Sequence, residues 1–272
     1  MSLEAFTELF EPADIHVARR LTTLAEESDE TVALAVAVAV RALRGGSVCV
    51  DLRSVAEQVG VPELPWPKPD AWLATVAASP LVTKTPVLRL FGDLLYLDRY
   101  WLEEQQVCDD VQALLASSLR GTVPSLDRLF PAGWEEQRRA AEVALTQSLT
   151  VLTGGPGTGK TTTVARLLAL LAEQASLAGQ PPLRIALAAP TGKAAARLLE
   201  AVQLEVDELD AADRDRLPEL TSSTLHRLLQ RRPGNSSRFR HHRENRLPHD
   251  VIVVDETSLV SLTLMARLLE AA

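Results

Sequence analysis

The chain has 272 residues, of which 46% are hydrophobic and 24% are charged, and its net charge at pH 7 is −8. These values are typical of a soluble globular protein with an ample core, and the acidic charge argues against a protein that coats nucleic acid over its whole surface. Two cysteines exclude a disulfide framework and no apolar run reaches the ~20 residues that span a bilayer, so we expect a reduced, cytoplasmic compartment and no membrane partner.

The first part of the chain has the pattern of a small, mostly helical α+β domain without a catalytic motif. Helices are expected at 13–26, 29–43, 54–59, 70–78 and 99–119, and strands at 48–52, 87–90 and 94–97, the last two forming a hairpin. Tyr96, Tyr100 and Trp101 cluster beside this hairpin. We interpret the cluster as core packing, with a docking surface as the alternative. Backbone breakers at 121–131 predict a domain boundary, which divides the chain into 1–125 and 126–272.

From residue 126 onward, strand-like and helix-like segments alternate. Strands are expected at 149–152, 183–189 and 250–254, helices at 135–147, 160–175, 192–204 and 224–230, and loops at 175–182 and 217–223. Alternation of this kind predicts an α/β fold with a parallel sheet covered by helices on both faces.

A complete phosphate-binding loop follows the first of these strands, in the pattern Gly154-x4-Gly159-Lys160-Thr161. Its glycines allow backbone N–H groups to point at phosphate oxygens, and the helix that follows adds favourable partial charge. Lys160 is expected to reach the β- and γ-phosphates, and the Thr161 hydroxyl to ligate Mg²⁺. The predicted triphosphate-binding residues are Gly154, Gly155, Pro156, Gly157, Thr158, Gly159, Lys160, Thr161 and Thr162.

An acidic pair, Asp255 and Glu256, follows the apolar run Val251-Ile252-Val253-Val254. Ligand sites of open α/β sheets lie at the carboxyl ends of the strands, which is where this pair is expected. We predict that Asp255 holds Mg²⁺ through water and that Glu256 polarises the water that attacks the γ-phosphate. The pair, together with Lys160 and Thr161, therefore predicts hydrolysis of the nucleotide.

Two further segments indicate an anionic polymer as a second ligand. Thr191, Gly192 and Lys193 follow the strand at 183–189 and begin a helix, an arrangement that can hold a second phosphate. Residues 221–249 contain seven arginines and one glutamate, a local charge of +6 in an acidic chain. We interpret this basic segment as a restricted anion-binding surface, with a solvated loop as the alternative.

Five segments of the chain occur in the same order in superfamily-one DNA helicases. The resemblance is strongest to the alpha chains (RecD subunits) of exodeoxyribonuclease V. The five segments are Gln137, the glycine loop, Ala-Pro-Thr-Gly-Lys-Ala-Ala at 189–195, Thr-Leu-His-Arg-Leu-Leu at 224–229 and Val-Val-Asp-Glu at 253–256. The resemblance implies a RecA-like P-loop NTPase fold, ATP with Mg²⁺ as cofactors, and adenine recognition by Gln137. It also implies a path for single-stranded DNA along Pro190, Thr191, Gly192, Lys193, Thr224, His226 and Arg227.

The resemblance further implies an ATP-dependent helicase that moves 5′ to 3′ within a bacterial recombination-repair helicase–nuclease. Residues 1–125 look like the amino-terminal domain of that subunit, which docks on partners, so RecB-like and RecC-like subunits are expected in a heterotrimer. Segment 257–261 has leucine and serine where many members have methionine and aspartate, which affects packing more than catalytic groups.

Members of this family carry a second motor domain that supplies an arginine to the site. The 272 residues show no counterpart, so we expect an amino-terminal fragment that needs the second motor domain for full activity. Two alternatives remain open: a free-standing RecD-like helicase, and a truncated ATP-binding interaction protein without turnover. A small-molecule kinase is disfavoured, because it leaves Pro190–Lys193 and the basic segment unexplained.

Overall fold

The computed structural model describes residues 3–84, 86–117, 122–155, 157–231 and 238–272. The chain separates into two units, Met1–Gln105 and Gln106–Ala272. Parts of the predictions above lie outside the described residues: Pro156 of the glycine loop, Arg232 of the basic segment, residues 118–119 of the expected helix at 99–119 and residue 121 of the expected boundary. Within the described ranges, no helix is both long and apolar enough to cross a membrane.

The first unit is built around a helix that is buried on most sides. This helix, α2 (Glu30–Arg44), begins at Asp29, whose side chain accepts a hydrogen bond from the Thr31 N–H at 2.8 Å, and ends at Gly45. Its run of alternating valine and alanine is buried, as the alanine content predicts for a helix rather than a strand. The other helices of this unit are a 3-10 helix (Leu3–Leu9), α1 (Pro12–Leu24), α3 (Val55–Gln58), α4 (Pro69–Ala78) and α5 (Pro80–Thr83).

A small antiparallel sheet completes the first unit. Its strands are β1 (Cys49–Asp51), β2 (Leu88–Phe91) and β3 (Leu94–Leu97), with β3 in the middle. The predicted hairpin is confirmed, since Leu88 pairs with Leu97 and Phe91 with Leu94. Tyr96 is 4% exposed and packs edge-to-face against Trp101 at 5.3 Å, so the aromatic cluster belongs to the core at this residue. Helix α6 (Asp98–Ala116) follows directly.

The second unit contains the predicted α/β alternation. Its elements are α7 (Glu135–Thr146), α8 (Lys160–Leu177), β4 (Ile185–Ala189), α9 (Gly192–Asp207), α10 (Ala211–Arg216), β5 (Thr221–Thr224), α11 (Leu225–Leu228), β6 (Val251–Val254), a 3-10 helix (Thr257–Leu259) and α12 (Leu262–Ala271). The three strands form a parallel sheet in the order β5-β4-β6. Ala189 pairs with Thr224 and Ala188 with Val254, so all three strands end at one edge.

The central strand β4 is buried on both faces. Ile185 and Leu187 pack with the apolar residues of α8 and α9, whereas Ala186 and Ala188 pack with Leu225 of α11 and with residues of α12. A strand covered on both sides is a continuous apolar run because neither face meets water. The predicted α/β fold, a parallel sheet with helices on both faces, is therefore confirmed.

Two predictions about strands were wrong. Residues 149–152 were expected to form the strand before the glycine loop, but they form none, and Val151 is 76% exposed. A β-strand needs a paired neighbour, and the described sheet places none beside this apolar run. Conversely, part of the expected loop 217–223 is the strand β5, whose sequence Thr-Ser-Ser-Thr has no apolar signal. Backbone pairing with β4, rather than side-chain burial, defines β5.

Candidate nucleotide and nucleic-acid site

The glycine loop has the shape that only glycines permit at several positions. Gly157 and Gly159 both have φ of +74°, in the left-handed region that side chains disfavour. A Cβ on Gly154 would lie 2.6 Å from Oγ1 of Thr158, so a side chain at that position would displace the Thr158 hydroxyl. The Thr158 hydroxyl in turn donates to the carbonyl of Gly155 at 2.9 Å. The loop is therefore tightly turned and held by its own hydrogen bonds.

The loop ends at the start of α8, with Gly159 as the residue before the first turn. The first N–H groups of a helix have no partner within it, and a glycine has no side chain to accept them. Here these N–H groups belong to residues 160–162, while the Thr163 N–H already bonds to the Gly159 carbonyl at 2.8 Å. Donors of this kind, reinforced by the helix dipole, bind phosphate oxygens. The donor set thus fits a nucleotide phosphate group.

Lys160 lies over the loop. Its Nζ is 2.6 Å from the carbonyl oxygens of both Gly154 and Gly155. An ammonium group has three N–H donors, so these two contacts hold the positive charge at the loop while leaving donor capacity. The positive charge of Lys160 therefore lies at the loop, in a position to contact a bound phosphate.

Side chains from the start of α7 reach the same loop. Gln137 donates from Nε2 to the Thr158 carbonyl at 3.2 Å. The indole of Trp134 lies against Gly159, at 3.6 Å from the position that a Cβ would take. The structure therefore brings Gln137 and the glycine loop together, and it adds Trp134, which the sequence motifs did not identify. Trp134 and Gly159 are 25 residues apart, so no local pattern in the sequence indicates their contact.

The acidic pair follows β6 directly. The Asp255 N–H bonds to the Ala188 carbonyl at 3.0 Å and so extends the pairing of β6 with β4 by one residue. Glu256 has a φ of +52°, rare for a residue with a side chain, and its N–H bonds to Oδ1 of Asp255 at 2.8 Å. Both carboxylates are exposed. Carboxylate oxygens, like the hydroxyl of Thr161, are the ligands that Mg²⁺ prefers.

The second predicted anion site lies at the same edge of the sheet. Pro190 follows β4, and Thr191 accepts a hydrogen bond from the Ala194 N–H at 3.2 Å, which caps α9. Thr224, at the end of β5, caps α11 through the Arg227 N–H at 3.2 Å. Because the ends of β4, β5 and β6 coincide, these two capped turns lie at the edge that also carries the acidic pair.

Further predicted residues project from these turns. Gly192, Lys193, His226 and Arg227 are exposed, and the ring of His226 lies 5.9 Å from that of Phe239. None of the described hydrogen bonds or ion pairs joins the glycine loop to the acidic pair or to these turns. The described contacts therefore group the site residues as the loop with Gln137, and separately as the sheet edge.

The basic segment is more internally paired than its sequence indicates. Arg243 forms an ion pair with Asp110 at 2.7 Å, and Arg240 bonds to Gln230 at 3.2 Å. Arg246 donates to the Ala272 carbonyl. Several of the seven arginines thus stabilise the chain itself, which reduces the surface that we predicted for anions. Arg227 remains exposed and lies next to Thr224.

Comparison with known families agrees with this geometry. Residues 137–272 match the family model described as "AAA domain". Residues 7–96 match the model described as "RecBCD enzyme subunit RecD, N-terminal domain". The two matches correspond to the two kinds of architecture that the chain contains, a mostly helical part followed by a parallel α/β part.

Curated relatives carry the same description. The chain is 77% identical over 269 residues to "RecBCD enzyme subunit RecD" of Mycolicibacterium smegmatis, covering 99% of this chain and 49% of the relative. It is 70% identical over 260 residues to the protein of that name in Mycobacterium tuberculosis, covering 95% of this chain and 45% of the relative.

A more distant relative, "ATP-dependent RecD2 DNA helicase" of Deinococcus radiodurans, is 39% identical over 182 residues, covering 65% of this chain and 22% of the relative. The chain spans about half the length of the RecD relatives that it matches. With an AAA domain over residues 137–272 and the RecD amino-terminal domain before it, the chain belongs to the RecD family.

Proposed function

We propose that this chain forms the ATP-binding part of a DNA helicase subunit that moves 5′ to 3′ along single-stranded DNA. The observation that carries the proposal is the common edge of β4, β5 and β6, where the acidic pair and two capped, exposed turns lie together. An edge that combines hydrolytic carboxylates with phosphate-binding turns suits a motor, because nucleotide hydrolysis and strand movement must be coupled.

The nucleotide part of the mechanism rests on the glycine loop. The N–H groups of residues 160–162 and the ammonium group of Lys160 bind the β- and γ-phosphate oxygens. Thr161 and Asp255 would hold Mg²⁺, which when bound neutralises the charge of the phosphates. Glu256 orients the attacking water and accepts its proton. Gln137 is the residue proposed to recognise adenine, and its bond to the Thr158 carbonyl at 3.2 Å supports this role because it keeps the side chain beside the loop.

The nucleic-acid part rests on the two capped turns. Pro190–Lys193 and Thr224–Arg227 present hydroxyl, backbone N–H, imidazole and cationic groups at one edge of the sheet. Contacts of these kinds bind the sugar–phosphate backbone without reading the base sequence, as a translocating protein requires. Single-stranded DNA is therefore the proposed second ligand.

Partners follow from the family rather than from a contact of this chain. The relatives are named as subunits of RecBCD enzymes, so we assign RecB-like and RecC-like subunits as the partners of a heterotrimer. Residues 1–125 are proposed as the docking domain and residues 126–272 as the first motor domain. The proposed helicase activity is that of a protein as long as the RecD relatives, of which this chain spans about half.

Binding of a fluorescent ATP analogue with Mg²⁺ to the 272-residue chain tests the nucleotide site. Lys160→Ala should weaken binding by about tenfold to a hundredfold, because it removes charge-assisted hydrogen bonds to phosphate. Lys84→Ala is the matched control, since Lys84 is an exposed lysine outside the motor domain. Equal binding by the parent and by Lys160→Ala would contradict the proposal.

A second candidate is a free-standing helicase without partner chains. The 39% identity to "ATP-dependent RecD2 DNA helicase" is the observation in its favour. Copurification of the whole protein, tagged in its own cells, distinguishes the two. Stoichiometric recovery of RecB-like and RecC-like chains supports the heterotrimer, and recovery of the protein alone supports the free-standing helicase.

A further inference from the structure

Trp134 and Arg166 form a stacked pair beside the first turn of α8. The guanidinium carbon of Arg166 lies 4.1 Å from the centroid of the Trp134 ring, well within the range of a cation–π contact. The same guanidinium donates from Nη1 to the Leu129 carbonyl at 2.6 Å and lies 5.9 Å from the ring of Phe130, which is fully buried. Arg166 is thus fixed by the segment before α7 and in turn fixes one face of the indole.

The indole connects this pair to the glycine loop. Gly159 and Arg166 are seven residues apart, two turns of α8, and so lie on the same side of the helix. Helical side chains lean toward the N-terminus, which brings the Arg166 head back toward the loop. Trp134 fills the space between them, because its Cζ3 and Cη2 atoms lie 3.6 and 3.9 Å from the Cβ position of Gly159.

Gln137 strengthens the same arrangement. Trp134 precedes α7 and Gln137 lies in its first turn, and the two side chains contact consecutive loop residues, Gly159 and Thr158. Gly159 is the residue whose left-handed backbone turns the chain into α8. Its orientation determines where the N–H groups of residues 160–162 point.

We propose that Trp134 and Arg166 are positioning residues of the phosphate loop. Arg166 holds the indole, the indole holds the Gly159 backbone, and the Gly159 backbone aims the N–H groups at the phosphates. This inference rests on the proposed nucleotide binding and adds residues that touch neither phosphate nor base. An arginine suits this role because its planar guanidinium can stack flat on the indole while an N–H group donates a hydrogen bond, a geometry that the point charge of a lysine supports less well.

Binding of the fluorescent ATP analogue to the 272-residue chain is the first measurement. Trp134→Ala and Arg166→Met should each weaken binding about tenfold. This is the change expected when a cation–π contact is lost and the loop that it orders becomes less well positioned. Trp134→Phe keeps a ring for Arg166 but lacks the Cζ3 and Cη2 atoms that reach Gly159, so it should fall between Trp134→Ala and the parent, and Arg166→Lys should fall between Arg166→Met and the parent. Arg138→Ala is the matched control, because the Arg138 side chain pairs with Asp127 and Glu142, none of the described contacts joins it to the indole or to Gly159, and alanine keeps the backbone bond from residue 138 to the Trp134 carbonyl.

Hydrogen exchange of the amides at 158–163, measured without nucleotide, is the second measurement. In Trp134→Ala and in Arg166→Met, the amides at 158–163 should exchange faster than in the parent, while those of α9 should exchange at the parent's rate. Only the loop loses its contact with the indole in these variants. Tryptophan emission adds a signature: of the four tryptophans only Trp134 lies in residues 106–272, so the Trp134→Phe difference isolates its response to nucleotide.

The outcomes separate this inference from the proposed function. Binding by Trp134→Ala within about twofold of the parent, with unchanged exchange at 158–163, would overturn the positioning role. A parent chain that binds no nucleotide would contradict the proposed function, and the exchange measurement would still decide whether Trp134 and Arg166 order the loop.

Discussion

Arg184 and Asp250 form a two-pronged ion pair at the starts of two neighbouring parallel strands. Nε and Nη2 of Arg184 lie 3.0 and 2.8 Å from the two carboxylate oxygens of Asp250, and the Arg184 N–H adds a third bond at 2.8 Å. The pair immediately precedes β4 and β6 and therefore fixes their register. That register aligns Asp255 with the end of β4, five residues away.

Stability should depend on this pair in acid. The hydrogen bonds from Arg184 lower the pKa of Asp250 to about 2. A carboxylate with a depressed pKa stabilises the folded state above its unfolded pKa, and this contribution is lost as the pH falls through the folded value. Asp250→Asn should therefore lower the urea midpoint modestly at pH 7, and the difference from the parent should shrink between about pH 4 and 2. A difference that stays constant over that interval would contradict this assignment.

Gly154→Ala should disrupt nucleotide binding through a defined clash. The new Cβ would meet Oγ1 of Thr158 at 2.6 Å and push the loop open, so we expect affinity to fall about tenfold or more. Removing the clashing hydroxyl tests the cause: the double variant Gly154→Ala with Thr158→Ala should recover part of the affinity. Titration with the fluorescent ATP analogue measures both. If the double variant recovers no affinity, the clash with the Thr158 hydroxyl is not the cause of the loss.

Glu256 should show opposed effects on stability and on turnover. Its φ of +52° strains the backbone, so Glu256→Gly should raise the free energy of unfolding by about 1 kcal/mol. The same change should abolish ATP hydrolysis by the whole protein, because the carboxylate is gone. Glu256→Gln keeps the shape and should lose hydrolysis while retaining both binding and the parent's stability. Thermal unfolding and a phosphate-release assay measure the two effects, and a hydrolysing Glu256→Gln would exclude the assigned role.

Arg227 and Arg243 should respond differently although both belong to the basic segment. Arg227 is exposed beside Thr224, so Arg227→Ala should weaken single-stranded DNA binding and lower the magnitude of its salt slope by about 0.7. Arg243 pairs with Asp110, which is only 7% exposed, so Arg243→Ala should destabilise the fold by about 1 kcal/mol and leave the slope unchanged. DNA titrations at several salt concentrations, with urea unfolding, separate the two. Identical slopes for both variants would remove Arg227 from the proposed DNA path.

The parts of the fold that sequence predicted are those with a local signal. The glycine loop and α8 follow from residues adjacent in the chain, and β4 and β6 from uninterrupted apolar runs. Segment 149–152 has the same local signal as β6 but no strand beside it in the described sheet. Pairing is a property of two segments, so a single apolar run does not determine it.

The candidate site shows the same division. Lys160 and the acidic pair were identified by motifs that are contiguous in sequence. The ion pair between Arg243 and Asp110 joins residues that are 133 positions apart in the chain. The sequence alone did not reveal this pairing, so Arg243 was counted as part of the basic surface. Trp134 and Arg166 meet only because α7 and α8 pack together, so their contact with Gly159 became visible only in three dimensions.

The two threonine caps at the sheet edge have a consequence for the proposed contact with single-stranded DNA. In each, the hydroxyl oxygen accepts a helix N–H, which leaves the hydroxyl hydrogen free to rotate. Each helix start thereby anchors the oxygen while its hydrogen can swing from one phosphate to the next. A strand that moves past Thr191 and Thr224, as proposed, would exchange hydrogen-bond partners without disturbing either helix. The two helix starts would stay fixed while the hydroxyl–phosphate contacts change at each step.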